Sequence, residues 1–204
     1  MLRKARIAVL VSGGGTNLQA ILDYIDGGKL PDGEICAVIS DNQDAYALQR
    51  AKNHNIPALV LLRRDCESKE DYENKLLGLL SSVGAEVVVL AGFMRILSAD
   101  FVSHFENRMI NVHPSLIPSF CGKGFYGLHV HEKALEYGVK VTGATVHFVN
   151  SIPDGGQIIA QKAVKVLKND TPETLQRRVM EQAEWKILPA ALRDLCRKIR
   201  KGKK

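Results

Sequence analysis

The chain has 204 residues, of which 46% are hydrophobic and 25% charged, and its pI is about 9.2. This length supports one sizeable core, and this composition excludes a disordered or collagen-like chain. No run approaches the ~18 consecutive apolar residues of a membrane helix, and the N-terminal apolar run is too short for a signal peptide. We therefore expect a cytoplasmic protein with no membrane partner.

The basic character is concentrated at the C-terminus. Residues 193–204 carry seven basic side chains and one acidic one, which leaves 21 of each sign in residues 1–192. A neutral body argues against a nucleic-acid partner, because a duplex-binding domain shows a basic face. We expect 193–204 to be a solubilising, frayed tail. The four cysteines are far apart in sequence, which gives no zinc spacing and fits a reducing compartment.

The first half of the chain alternates short apolar strands with helices. Strands are predicted over 7–11, 35–40, 58–61 and 87–90. The helices between them are predicted over 17–26, 45–53 and 69–82. Strands separated by helices form right-handed βαβ units and a parallel sheet. This half therefore predicts an α/β, Rossmann-like fold with three layers.

The alternation changes after residue 97. The sequence predicts a helix over 98–105, a strand over 109–112, a loop rich in Pro and Gly over 113–129 and a helix over 131–137. The strands 141–149 and 158–166 leave almost no room for a crossover helix, so they should pair antiparallel or one should lie at an edge. A last helix is predicted over 171–188, with Pro172 in its first turn. We see no repeat and no linker, and we predict one domain over 1–204.

A glycine-rich turn, Ser-Gly-Gly-Gly-Thr-Asn over 12–17, joins the first strand to the first helix. Its glycines can take positive φ, and the N–H groups at the helix start then face any ligand in front of them. The turn lacks the Lys of a Walker A loop, and Leu18 stands where a dinucleotide fingerprint has its last glycine. The turn is either a phosphate site or a tight strand-to-helix connection without a ligand.

Asn111 and His113 lie on one face at the carboxyl end of the strand 109–112, because alternate residues of a strand share a face. Ligands of open α/β sheets bind at such ends. An Asn amide can stabilise an oxyanion, and a His can donate to it or move a proton. The alternative is a buried His that makes one structural hydrogen bond.

The role of Asp154, in the segment Ile-Pro-Asp-Gly-Gly, has two interpretations as well. An Asp beside glycines is most often a turn residue that bonds its own backbone, but this one could be a carboxylate that orients His113. His147, in the middle of a strand, is interpreted as a polar partner inside the sheet. His129 and His131 are separated by one residue, with no other ligand at metal-binding spacing, so we expect no metal.

Five segments together resemble the phosphoribosylglycinamide formyltransferase family. They occur in the family's order and extend across residues 5–189: 7–22 (IAVLVSGGGTNLQAIL), 87–97 (VVVLAGFMRIL), 110–118 (INVHPSLIP), 143–149 (GATVHFV) and 154–159 (DGGQII). The resemblance implies transfer of a formyl group from 10-formyltetrahydrofolate to the amine of glycinamide ribonucleotide in de novo purine biosynthesis. It also implies a monomer or homodimer that uses no metal.

The resemblance also implies a role for each matching residue. The catalytic residues would be Asn111, His113 and Asp154. The nucleotide substrate would be bound by Gly15, Thr16 and Asn17 at its phosphate, and by Glu184. The folate would be bound by Lys69, Met94, Arg95, Ile96, Leu97 and Asn150. Residues 1–105 would then form the phosphate-binding half, 106–192 the catalytic and folate-binding half, and 193–204 the basic tail.

The mechanism implied is attack of the amine on the formyl carbon to give a tetrahedral intermediate. Asn111 and a protonated His113 would stabilise its oxyanion. Asp154 would keep His113 protonated and, with a water, move the proton from the attacking nitrogen to the leaving one.

The chain departs from the family pattern in three places. One extra residue lies between Arg178 and Trp185, and the loop 119–127, which contains Lys123, is longer than usual. Lys69 stands where Arg is frequent, which keeps the charge but loses the bidentate fork.

Three other functions remain open from the sequence. Formyltetrahydrofolate deformylases use a similar Asn-His-Asp set, but they usually have an N-terminal regulatory domain and tend to lack the proline that is Pro114 here. Methionyl-tRNA formyltransferases need a further RNA-binding domain. A non-catalytic nucleotide or RNA binder would use the glycine turn and the tail, and its RNA affinity would depend steeply on salt.

Overall fold

The computed structural model describes residues 3–202. Within them, the strands in chain order are β1 (Ala5–Val11), β2 (Gly33–Ser40), β3 (Ala58–Val60), β4 (Val87–Leu90), β5 (Met109–His113), β6 (Val141–Phe148) and β7 (Ile158–Lys165). The α-helices are α1 (Thr16–Asp26), α2 (Tyr46–Asn53), α3 (Lys69–Ser82), α4 (Ala99–Ser103), α5 (Leu128–Tyr137), α6 (Pro172–Val179) and α7 (Trp185–Gly202). No helix in this part of the chain has the length and apolarity needed to cross a bilayer.

All seven strands form one sheet in the order β3-β2-β1-β4-β5-β6-β7. The pairs among strands β1 to β5 are all parallel, whereas β6 is antiparallel to both β5 and β7. The chain runs from β1 outward to β3 and then returns to β4 on the other side of β1. This reversal opens a crevice at the carboxyl ends of β1 and β4, where doubly wound sheets bind ligands. The predicted fold class is confirmed, including the antiparallel C-terminal strand pair.

The two faces of the sheet are both covered by helices, because side chains alternate along each strand. Ile7, Val9 and Val11 of β1 pack into the core under α1, α2, α5, α6 and α7. Ala8 and Leu10 point into the core under α3 and α4. All five side chains are inaccessible to solvent. Strands that are apolar on both faces are typical of doubly covered parallel sheets, so β1 is held rigidly and the turn that follows it is fixed at the sheet edge.

The expectation of a frayed basic tail is wrong within the described residues, because α7 continues to Gly202. Leu195 and Cys196 on its inner face are buried. On its outer side, Arg200 forms an ion pair with the nearly buried Asp32, and Arg197 Nε lies 3.8 Å from the same carboxylate. The basic residues therefore lie on the exposed face of an amphipathic helix, and the predicted helix end at 188 is corrected to 202. Residues 203 and 204 of the predicted tail lie outside the described part.

A π-helical turn, Met180–Glu184, lies between α6 and α7, in the segment where the sequence predicts one extra residue. A π turn contains one residue more than an α turn, so an insertion there leaves the faces of the flanking helices in place. Pro189 in the second turn of α7 also favours an irregular turn, because it has no N–H and its ring crowds the carbonyl four residues earlier. The turn carries Glu184, one of the predicted substrate-binding residues.

Candidate active site

A cavity of about 500 Å³ lies at the carboxyl ends of β4 and β5. Its walls come from four segments: the loop after β4, the end of β5, the long loop before α5 and the β6–β7 connection. The predicted residues that line it are Asn111, His113, Asp154, Met94, Arg95, Ile96, Leu97 and Asn150. The sheet edge thus brings together residues that are as much as 60 positions apart in sequence.

Asn111 and His113 project from β5 toward this cavity, as the alternation predicted. Because β6 runs antiparallel to β5, His147 lies directly opposite Asn111 in the register. The Nδ1–H of His147 donates to the Phe148 carbonyl at 2.8 Å, so its Nε2 is free to accept from Asn111 Nδ2 at 3.2 Å. This bond orients the NH₂ group of the Asn111 amide.

Asp154 completes this cluster from the β6–β7 connection, where it has a φ of 55°. Its Oδ2 lies 3.5 Å from His113 Nδ1, and its Oδ1 lies 3.5 Å from Asn111 Nδ2 and 3.6 Å from His147 Nε2. Two residues later, a Cβ on Gly156 would lie 1.7 Å from the Phe148 carbonyl oxygen. Only glycine fits there, so the turn that presents Asp154 depends on the pair of glycines in the motif.

In this cluster the pKa values of Asp154 and His113 are both shifted below their ordinary values. Burial opposes ionisation of Asp154, but the nearby His147 and His113 rings and the Gly122 N–H together hold the pKa of Asp154 below its ordinary value. Burial also lowers the pKa of His113, and the Asp154 carboxylate only partly opposes this shift. The Asp154 carboxylate thus favours the protonated form of His113 while burial of the ring opposes it, and a protonated His113 stays a prediction.

The long loop over 119–127 covers these residues. His113 Nε2–H donates to the Phe120 carbonyl at 2.8 Å, and the Gly122 N–H donates to Asp154 Oδ2 at 2.8 Å. Lys123, Phe125 and other residues of the loop line the cavity. The sequence left the role of this loop open, and the structure places it in direct contact with the catalytic candidates.

The loop after β4 forms the apolar wall of the cavity. Met94 and Ile96 are 53% and 60% exposed, which is unusual for apolar side chains and typical of a binding surface. Arg95 is held by Asp41, with 2.6 Å between Nε and Oδ2, and its guanidinium stacks over the Tyr72 ring. Lys69 is not brought to this wall. It lies in the first turn of α3, 55% exposed, and pairs with Glu73 at 3.7 Å.

The glycine turn lies beside this cavity, after β1. Gly15 has a φ of 70°, and a Cβ there would lie 2.6 Å from the Cβ of Ala47, so the position requires glycine. Asn17 and Glu184 are both buried, and Asn17 Nδ2 donates to Glu184 Oε2 at 2.6 Å. Ser12 Oγ accepts a 2.9 Å hydrogen bond from the Met94 N–H, which connects the turn to the apolar wall.

Of the two histidines in the weak metal motif, His131 is fully buried in α5 and His129 is exposed. Neither ring nitrogen of His131 has a hydrogen-bond partner in the described part of the chain, and burial lowers its pKa to about 4. Residues 3–202 contain no group of three His, Cys, Asp or Glu side chains arranged to hold a metal ion. The structure adds His147 to the candidate site; once β5 and β6 are paired antiparallel, its position opposite Asn111 is the signal that identifies it.

Comparison with known proteins places this geometry in a family. The family model described as formyl transferase matches residues 5–192. The chain is 42% identical to phosphoribosylglycinamide formyltransferase of Escherichia coli over 186 residues, which is 91% of this chain and 84% of that protein. It is 39% identical to the protein of the same name from Haemophilus influenzae, with 92% and 85% covered.

Other relatives are longer, and one solved structure is very similar. The chain spans 66% of the chloroplastic phosphoribosylglycinamide formyltransferase of Arabidopsis thaliana and 18% of the human trifunctional purine biosynthetic protein adenosine-3. Its fold superposes on glycinamide ribonucleotide transformylase 1 from Symbiobacterium toebii with a TM-score of 0.89 at 43% identity, covering 96% of this chain and 89% of that one.

Proposed function

The chain belongs to the formyl transferase family, and on that premise we propose that it transfers the formyl group of 10-formyltetrahydrofolate to the primary amine of glycinamide ribonucleotide, a step of purine biosynthesis. The observation that carries this proposal is the convergence of Asn111, His113 and Asp154 at one end of a cavity with an apolar wall. Acyl transfer through an oxyanion needs donors for the oxyanion and a group that takes the proton of the nucleophile. The cluster contains both.

The reaction begins when the lone pair of the substrate amine forms a bond to the formyl carbon and the carbonyl electrons move to oxygen. Asn111 donates to this oxyanion through its NH₂ group, which His147 orients. A protonated His113 is the second donor through Nδ1, because its Nε2–H is bonded to the Phe120 carbonyl and the Asp154 carboxylate favours protonation of the ring. Collapse of the intermediate restores the carbonyl and breaks the carbon–nitrogen bond to the folate. Asp154 is ionised, so it accepts the proton of the attacking amine through a water and delivers it to the leaving nitrogen.

The remaining residues bind the two substrates. The backbone of Gly15, Thr16 and Asn17 binds the phosphate of the nucleotide at the start of α1. Glu184, bonded to Asn17, contacts the same substrate. Met94, Arg95, Ile96 and Leu97 form the wall for the folate ring system, together with Asn150 on the opposite connection. Lys69 does not line the cavity, and it stays a predicted folate contact beyond the cavity wall.

The proposal is tested by following loss of the 10-formyl folate by absorbance, with and without glycinamide ribonucleotide. We expect turnover that requires the nucleotide and is abolished in His113→Ala. His104→Ala is the matched control, because His104 is exposed and lies outside the cavity. Turnover that proceeds equally without the nucleotide would assign the protein as a deformylase. Binding of the nucleotide without any turnover would assign a non-catalytic binding module.

A further inference from the structure

Two backbone carbonyl groups of the glycine turn accept hydrogen bonds from α2. The Ala47 N–H donates to the Gly13 carbonyl at 3.1 Å, and Arg50 Nε donates to the Gly14 carbonyl at 2.9 Å. Both donors lie on α2, which reaches the turn from the neighbouring βα unit. The carbonyl of Gly15 is bonded by the N–H of Gln19 within α1 at 2.9 Å. Each of the three glycine carbonyls is therefore fixed by a separate donor.

Fixing these carbonyls also fixes the N–H groups of the next residues. In a trans peptide the C=O and the following N–H point in opposite directions. The Gly14 carbonyl points at Arg50, so the N–H of Gly15 points away from α2, and the N–H of Gly14 is directed in the same way by the Ala47 bond. Within residues 3–202, neither of these N–H groups donates to a protein acceptor. They remain available to a ligand in front of α1.

Arg50 is itself held in place on three sides. Its Nη1 donates to Gln19 Oε1 at 2.8 Å, and its guanidinium stacks over the ring of Tyr46 with 4.9 Å between the carbon of the guanidinium and the ring centroid. Its Cδ lies close to Gly15, which packs directly on Ala47. A guanidinium can bond two acceptors at fixed angles at the same time, whereas the single nitrogen of Lys cannot reproduce both bonds.

We propose that Arg50 is a positioning residue for the phosphate of the nucleotide substrate: it holds the Gly14–Gly15 peptide so that the N–H groups face the phosphate, and it places a positive charge behind the turn. This inference rests on the proposed function, in which the glycine turn binds that phosphate. Arg50 does not touch the reacting atoms, so its effect falls on recognition of the phosphate and not on the chemical step.

The test compares Arg50→Met and Arg50→Lys with Lys52→Met. Lys52 is exposed on the same helix and makes no contact with the turn, so it controls for loss of a positive charge on α2. The ratio of kcat/KM for glycinamide ribonucleotide to kcat/KM for the same compound without its phosphate is measured for each variant. We expect this ratio to fall about tenfold or more in Arg50→Met, because the charged hydrogen bond that fixes the Gly14 carbonyl is lost. Arg50→Lys should be intermediate, and Lys52→Met and the KM for the folate should be unchanged.

Equal losses for both substrates, or no loss in either variant, would overturn the proposal. Arg50→Lys keeps it testable if Arg50→Met does not fold. A second measurement separates this inference from the proposed function: the rise in melting temperature caused by inorganic phosphate. If the wild-type protein shows no nucleotide-dependent turnover but phosphate stabilises it more than it stabilises Arg50→Lys, the proposed function fails while Arg50 retains its role at an anion site. Equal stabilisation of both by phosphate would reject the role of Arg50.

Discussion

Asn17 Nδ2 donates a 2.6 Å hydrogen bond to Glu184 Oε2, and this bond joins the first turn of α1 to the π-helical turn 167 residues further along the chain. Both side chains are buried, and Asn17 Oδ1 has no partner within residues 3–202. Burial raises the pKa of Glu184 to about 7, and the bond from Asn17 only partly opposes this shift. The pair is a buried polar contact with unused hydrogen-bonding capacity beside the proposed phosphate site.

Replacing Glu184 by Gln should stabilise the free protein at alkaline pH. The folded carboxyl keeps its proton up to about pH 7, whereas the unfolded one loses it near its ordinary pKa of 4.5. Between these values the unfolded state binds fewer protons, so the free energy of unfolding of the wild type falls as pH rises. Glu184→Gln removes this loss, and its melting temperature should exceed that of the wild type more at pH 8 than at pH 5. Glu181→Gln, on the exposed side of the same turn, should show no such trend. A difference that is the same at both pH values would contradict the shifted pKa.

Asn111→Ala should lower kcat about a hundredfold or more. One donor to an oxyanion contributes ~3 kcal/mol to stabilisation of a transition state, and Asn111 is the amide donor that the cavity contains beside His113. The KM for either substrate should change much less than kcat, since the oxyanion forms only during the reaction. Steady-state assays with each substrate varied in turn measure both constants, and a kcat near that of the wild type would remove Asn111 from the mechanism.

Gly156→Ala should disrupt the turn that presents Asp154. An added Cβ would meet the Phe148 carbonyl oxygen at 1.7 Å, so either β6 or the turn must move. We expect a lower melting temperature together with a loss of turnover. Gly78→Ala is the matched control, because a Cβ at this position in α3 has no atom within 4 Å. It should raise the free energy of unfolding by ~0.5–1 kcal/mol through helix propensity, and unchanged stability of Gly156→Ala would show that the turn is not constrained.

Truncation after residue 192 should destabilise the protein although it removes mostly basic residues. The inner face of α7 loses the buried Leu195 and Cys196, and Asp32 loses its ion pairs with Arg197 and Arg200. Loss of one buried large side chain costs ~2–5 kcal/mol, and loss of the partners of a buried carboxylate adds to this. Denaturant unfolding should show the loss, whereas Lys198→Gln, on the exposed face, should be within ~0.5 kcal/mol of the wild type. A truncated protein as stable as the full chain would restore the interpretation of this segment as a tail.

Much of the fold could be predicted from the sequence because apolar runs and helical spacing report burial directly. The alternation of strands and helices up to Leu90 predicts the parallel sheet, and the short gap between 149 and 158 predicts antiparallel pairing. The continuation of the last helix beyond 188 is not predicted, because the seven basic residues of 193–204 dominate the composition of that segment. Apolar residues in and before this segment recur at helical spacing, which indicates that the helix continues: Leu188, Leu192, Leu195 and Ile199.

The site could be predicted only where one strand carries the signal. Asn111 and His113 share a face by alternation, but His147 becomes a neighbour only through the register between β5 and β6. Lys69 matches a position of the family by sequence, yet its side chain is not among those that line the cavity. The pKa of His113 depends on how deeply the loop over 119–127 buries it, and burial by a loop leaves no pattern in the sequence.

The hydroxyl of Ser12 belongs to the glycine turn, and it also accepts the N–H of Met94 on the apolar wall. One side chain is therefore common to the two segments that we propose bind different substrates. A displacement of either segment must carry the other with it or break this bond. If binding of one substrate displaces a segment, the free energy of that displacement changes the affinity for the other substrate, and thermodynamic linkage makes this effect reciprocal. The Ser12 hydroxyl therefore couples the affinity for the nucleotide to the affinity for the folate.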